Sequence, residues 1–187
     1  MSTMAAMALA LWTVLSAASI PLWFPAGSPA RQPLLARTAL LLTIVAVVTA
    51  GTGIVALLAG LASPLVGRWA WLGYTVAVFA ALVCGGPLTS CLLSLADASS
   101  RPGTPRVQRT ILHGGSWIGA LERLTMAVSI LSGFSAGIAV IVAIKGLGRY
   151  PDLKAGQGSG AAERFIIGTF ASLGWAAVCA GVGLLLV

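Results

Sequence analysis

Acidic side chains are scarce in this chain. Four Asp and Glu stand against eleven Lys and Arg, and charged residues make up only 8% of the 187 positions. A soluble domain carries about 25% charged residues, so a water-facing globular surface cannot be assembled from this composition. There is one histidine, His113, with no partner at helical spacing. It reads as an interfacial residue rather than a ligand or a base. The three cysteines, Cys84, Cys91 and Cys179, fall inside apolar runs and include no C-x-x-C spacing. They read as small buried hydrophobes, not as a disulfide or a metal site. No Gly-x-Ser-x-Gly elbow, P-loop or paired His-Glu metal motif is present. The Gly-rich stretch at 155–160, AGQGSG, follows no strand and carries no Lys-Ser or Lys-Thr, so it reads as a linker. These absences point away from an enzyme and imply no metal and no cofactor.

The formal net charge of +7 does not indicate nucleic acid as a partner. The nine Arg and two Lys lie mostly in short loops or at helix ends, and no dense basic run is interleaved with aromatics.

Apolar sequence is abundant: 58% of residues are hydrophobic and the mean hydropathy is +1.00. Five uncharged runs, 1–30, 38–67, 69–96, 124–144 and 165–187, are each long enough to cross a bilayer. The alternation expected of a barrel is missing, so each run can satisfy its backbone in lipid only as helix. The expectation is an all-α integral membrane protein, a single domain of about five transmembrane helices in one bundle. The helices are placed at about 4–24, 38–62, 70–95, 117–149 and 161–186, with polar loops at 96–116 and 150–160. The first run lacks Lys or Arg ahead of it and reads as a retained helix rather than a signal peptide. Gly85-Gly86-Pro87 predicts a kink in the third helix, because proline removes a backbone donor.

The stretch 117–149 organises the chain. It opens on Glu122-Arg123, runs uncharged from Leu124 to Ile144, and ends on Lys145 and Arg149. Those 21 uncharged residues make about 31 Å of helix, roughly one hydrocarbon core. Ser129, Gly133 and Gly137 are spaced by four, as are Gly168, Ser172, Ala176 and Ala180 in the last helix. Small residues at this spacing let membrane helices approach closely, which predicts that the last two helices pack through these stripes.

The acids and their neighbours supply the other candidate positions. Glu122 lies one turn from the apolar run beside Arg123. It reads either as an interfacial charge near a helix N-terminus or as a buried carboxylate for a cation or proton. Glu163-Arg164 repeats the pattern at the start of the last helix. Lys145 and Arg149 share a helix face, and Glu163 is placed to pair with either, or all face lipid headgroups.

Orientation is ambiguous from the charges. With five full spans the loop cations divide evenly: Arg31, Arg37, Arg101, Arg106 and Arg109 against Arg68, Lys145, Arg149, Lys154 and Arg164. If 117–149 instead dips in and returns near Ser132–Gly137, nine cations share one side and Arg68 alone lies opposite. The length of Leu124–Ile144 favours the single span.

Three segments, G-x-L-E-R at Gly119–Arg123, I-K-G-L-G-R-Y-P-D-L at Ile144–Leu153 and E-R-F-I-I-G-T-F-A-S-L-G-W-A at Glu163–Ala176, resemble a family of uncharacterised bacterial multi-pass membrane proteins. The resemblance covers about 70 residues of a two-helix unit. It implies a multi-pass protein of the bacterial inner membrane and no defined activity. It marks Glu122, Arg123, Lys145, Arg149, Glu163, Arg164, Gly168, Thr169 and Ser172 as positions of interest. Two functions are expected from the whole reading. One is a non-catalytic subunit, assembly factor or modulator that meets a membrane-protein partner or a second copy in the lipid bilayer. The other is a small transporter or channel using Glu122 and Lys145.

Overall fold

The computed structural model describes residues 67–99, 114–155 and 160–187, together with positions 10, 12–14, 54 and 58. Among the described residues the chain is helical throughout and forms no strand. Four helices follow one another: α1 (Arg68–Ser99), α2 (Gly114–Leu131), α3 (Ser135–Ala155) and α4 (Ala161–Leu186). Two stretches, Trp69–Ala96 in α1 and Ala162–Leu186 in α4, are long and apolar enough to cross a membrane. The expected helices at 4–24 and 38–62 lie largely outside the described residues. Ala10, Trp12, Thr13, Val14, Ile54 and Leu58 are helical.

The long helix anticipated over 117–149 is two helices. The chain leaves α2 at Ser132, takes a left-handed step at Gly133 (φ 71°), and starts α3 at Ser135. The Phe134 amide donates to the Ser129 carbonyl at 2.8 Å, and the Gly133 amide donates to the Ile130 carbonyl at 3.1 Å. That pair of bonds is a Schellman cap, which satisfies carbonyls that a helix end otherwise orphans. Only glycine adopts this φ at little cost. α3 then folds back along α2, and Gly137 in its first turn sits against the Ser129 side chain. A Cβ at Gly137 would come within 2.8 Å of the Phe134 ring.

Ser129, Gly133 and Gly137 therefore do not form one stripe facing the last helix. Ser129 and Gly137 face each other across the turn, and Gly133 makes the turn. The length of the uncharged run could not reveal this, because a cap glycine and a packing glycine have the same local signature. The loops also shift: α1 continues to Ser99, α2 begins at Gly114, and α3 runs through Pro151 to Ala155.

α1 and α4 form the central antiparallel pair. Small residues line α1 at Ala77, Ala80, Ala81 and Cys84, and line α4 at Ser172, Ala176, Cys179 and Ala180; all are buried. A Cβ on Gly183 would lie 2.8 Å from the Ala77 Cβ, so the two backbones approach closely there. Lower on the pair, Gly168 faces Leu93 and Thr89 of α1. α2 packs against both helices, and α3 packs on α2. Trp12 is fully buried in the same core, which joins the first expected helix to this packet.

α1 passes through Pro87 without ending. The two preceding glycines relieve the clash that proline imposes on the residue before it. Hydroxyls take up the neighbouring carbonyls: Thr89 Oγ1 donates to the Gly85 carbonyl at 2.7 Å, and Ser90 Oγ donates to the Gly86 carbonyl at 3.0 Å.

Candidate functional site

Glu122 and Arg123 are consecutive, so they leave α2 about 100° apart. This sends them to different neighbours. Glu122 turns to α3, where Lys145 Nζ donates to its Oε2 in an ion pair. On one straight helix those residues would stand about 34 Å apart; the Gly133 turn brings them together. Both side chains are largely covered, 15% exposed for Glu122 and 16% for Lys145.

Arg123 turns inward between α1 and α4 and is 3% exposed. Its Nη1 donates to Ser172 Oγ at 3.2 Å and its Nη2 donates to the Leu82 carbonyl at 3.3 Å. Its Nε has no hydrogen-bond partner among the described residues. The space for the side chain is created by Gly85. A Cβ there would overlap Arg123 Cδ and come within 2.7 Å of Nε and 3.2 Å of Trp175 Cδ1. Trp175 closes the other side, with its indole N–H donating to the Ala80 carbonyl at 3.2 Å. Thr169, one turn before Ser172 on α4, has a buried hydroxyl with no partner among the described residues.

The depth of this cluster is its main feature. The apolar stretch of α1 runs from Trp69 to Ala96, so its midpoint falls between Leu82 and Val83; that of α4 runs from Ala162 to Leu186, with its midpoint at Gly174. Arg123 bonds Leu82 and Ser172, so the guanidinium sits at the half-height of both helices. The Glu122–Lys145 pair lies at the same level.

The other candidates are dispersed. Arg149, Glu163 and Arg164 are exposed near one end of the packet. Lys145 meets Glu122 and not Glu163. Gly168 packs on α1. Of the small residues on α4, Ser172 holds Arg123 and Ala176 is buried in the core. Gly85 and Trp175, which shape the Arg123 site, carried no functional signal in the sequence beyond the Gly-Gly-Pro interruption of an apolar run.

Chemically, the cluster holds two cations and one carboxylate. A guanidinium does not give up its proton in a protein, so Arg123 binds and positions but cannot act as a base. Glu122 already accepts from Lys145. No group of three His, Cys, Asp or Glu able to hold a metal occurs among the described residues. No family model, curated protein or solved structure matches the chain, so the roles of these residues rest on their geometry.

Proposed function

We propose that this is a multi-pass membrane protein acting as a non-catalytic component: a subunit, assembly factor or modulator that works through helix packing. The observation that carries this reading is how the ionisable groups at half-height are occupied. Glu122 and Lys145 neutralise each other, and both terminal nitrogens of Arg123 are bonded to neighbouring helices. Charges used this way dock the α2–α3 hairpin onto the α1–α4 pair. The membrane setting is supported by two apolar helices of spanning length and by large apolar side chains left exposed along them, Phe79, Phe170 and Val178 among them. The resemblance adds a bacterial inner membrane as the location. Further spans would follow from the uncharged runs at 1–30 and 38–67.

The second reading, a small transporter or channel, is favoured by a different observation. Arg123 Nε and the Thr169 hydroxyl are buried without partners among the described residues, and ionisable groups at membrane depth are functional suspects. One preparation separates the two. The tagged chain is extracted in mild detergent and weighed by native mass spectrometry. A stoichiometric, different membrane protein co-purifying is the expected result. A lone chain or homo-oligomer, with vesicle ion flux that Glu122→Gln abolishes while the fold is intact, would replace the first reading by the second.

A further inference from the structure

The charge balance at half-height does not close within the chain. Glu122, Arg123 and Lys145 are two cations and one carboxylate, and Lys145 already holds the carboxylate. A guanidinium keeps its proton, so one positive charge is left over. Residues 1–96 contain no Asp or Glu, so no helix formed by the first half of the chain can supply the missing anion. The three other acids stand elsewhere. Along their helices Asp97 is about 22 Å from Leu82, Glu163 about 13 Å from Ser172 and Asp152 about 10 Å from Lys145, all toward the same end of the packet. A buried charge without a counter-charge is strongly destabilising.

Hydrogen-bond donors are left over as well. Arg123 is 3% exposed, and the bonds to Ser172 Oγ and the Leu82 carbonyl occupy two of its five N–H donors. Its Nε has no partner among the described residues, nor has the Thr169 hydroxyl, and both are buried. The geometry carries the guanidinium toward Thr169. Arg123 meets Ser172, and Leu131 packs at the Gly183 position, so α2 and α4 run parallel. A helical side chain leans toward the N-terminus of its own helix. Arg123 therefore leans down α2 toward Gly119, and down the parallel α4 toward Thr169, one turn before Ser172. A Cβ at Gly119 would lie 3.3 Å from Arg123 Nη1 with nothing else packed within 4 Å. The absent side chain leaves room beside the guanidinium.

We propose that Arg123 and Thr169 hold a small monovalent anion, of chloride size, as a built-in counter-ion. The valence follows from the single unbalanced charge. A guanidinium beside a hydroxyl selects an anion over a cation. The size follows from the burial of both free donors and from the gap of one side chain at Gly119. The inference goes beyond the proposed function, since a subunit and a transporter would both need this charge balanced.

The test uses the full chain, purified in mild detergent into gluconate buffer, whose anion is too large for the site. Binding of chloride-36 is measured by equilibrium dialysis at constant ionic strength. One saturable chloride per chain is expected. Thr169→Val keeps the shape of the side chain and weakens binding about tenfold or more, as loss of one hydrogen bond to a charged group implies. Arg123→Met abolishes binding; if that variant does not fold, Thr169→Val decides alone. Lys154→Gln, which removes an exposed cation, leaves binding unchanged. The thermal midpoint of the natural sequence also rises with chloride at constant ionic strength, because a ligand of the folded state stabilises it. Absence of saturable chloride on the natural sequence overturns the proposal. So does equal affinity in Thr169→Val, or a loss in Lys154→Gln as large as in Thr169→Val. If the chain co-purifies with a different membrane protein and the complex binds no chloride, the counter-charge belongs to that partner: the proposal fails and the subunit reading stands.

Discussion

Arg123 carries its charge into the packet whatever surrounds it, because a guanidinium stays protonated. What the neighbours control is whether the side chain fits and is bonded. Gly85 controls the fit. Gly85→Ala places a Cβ on Arg123 Cδ and against Trp175, and overpacking of this kind costs about 1–3 kcal/mol. Gly146→Ala in α3, where nothing lies within 4 Å, serves as the control and gains about 0.5–1 kcal/mol from its helical preference. Both are read by denaturant unfolding in detergent micelles; equal effects would remove Gly85 from the site. The ion pair is tested with two variants. Glu122→Gln leaves Lys145 largely covered and without its carboxylate, at a cost of about 2 kcal/mol, and adding Lys145→Met recovers most of that loss. Additive losses in the double variant would mean the two residues are not coupled.

At the scale of the element, the decisive feature is the end of α2. Gly133 sits at φ 71°, where a Cβ costs roughly 1–2 kcal/mol. Gly133→Ala therefore destabilises the hairpin by about that amount, and Gly133→Asn by less, since asparagine tolerates the left-handed region. The fold-back itself has a direct check. In a background free of native cysteines, Glu122→Cys and Lys145→Cys should be joined within one chain by a short bis-methanethiosulfonate reagent, which spans the gap that the Glu122 and Lys145 side chains fill, seen as a mobility shift reversed by reductant. No intrachain cross-link would leave the two helices joined end to end, with these positions about 34 Å apart. The interior of the α1–α4 pair follows different chemistry. In a lipid setting, contact between helices is driven by packing of small residues rather than by exclusion of water, and Ala77 against Gly183 has that form.

At the scale of the whole molecule, the packet holds its buried ionisable groups, Glu122, Arg123 and Lys145, at half-height. Trp12 ties a distant part of the chain to it, since it is fully buried within the same core as Ala80, Trp175 and Cys179. Trp12→Ala removes a large buried ring, and such truncations cost about 3–5 kcal/mol. Unfolding in mixed detergent micelles should show that loss in the cooperative transition of the entire chain. A separate early transition, with the main one unmoved, would mean that the first segment folds independently of the packet.

Much of the helical architecture was legible in the sequence. Scarce charge and long uncharged runs leave the backbone of α1 and α4 no partner in lipid except itself, so composition alone implied helices there. The candidate charges were legible too, because Glu122, Arg123 and Lys145 interrupt or bound apolar runs. Their partners were not. Leu124–Ile144 has the length of one span, and Gly133 is compatible both with a helix interior and with a left-handed cap. Sequence-local preferences leave those two states close in energy. Contacts between residues far apart in the chain decided between them: Lys145 with Glu122, Gly137 with Ser129, and Arg123 with Ser172 and Leu82. The amino-acid sequence determined that these segments are helical and apolar. Only the tertiary structure decided between a single crossing and the return near Ser132–Gly137 that the charges had offered as the alternative, and with it which carboxylate meets which cation.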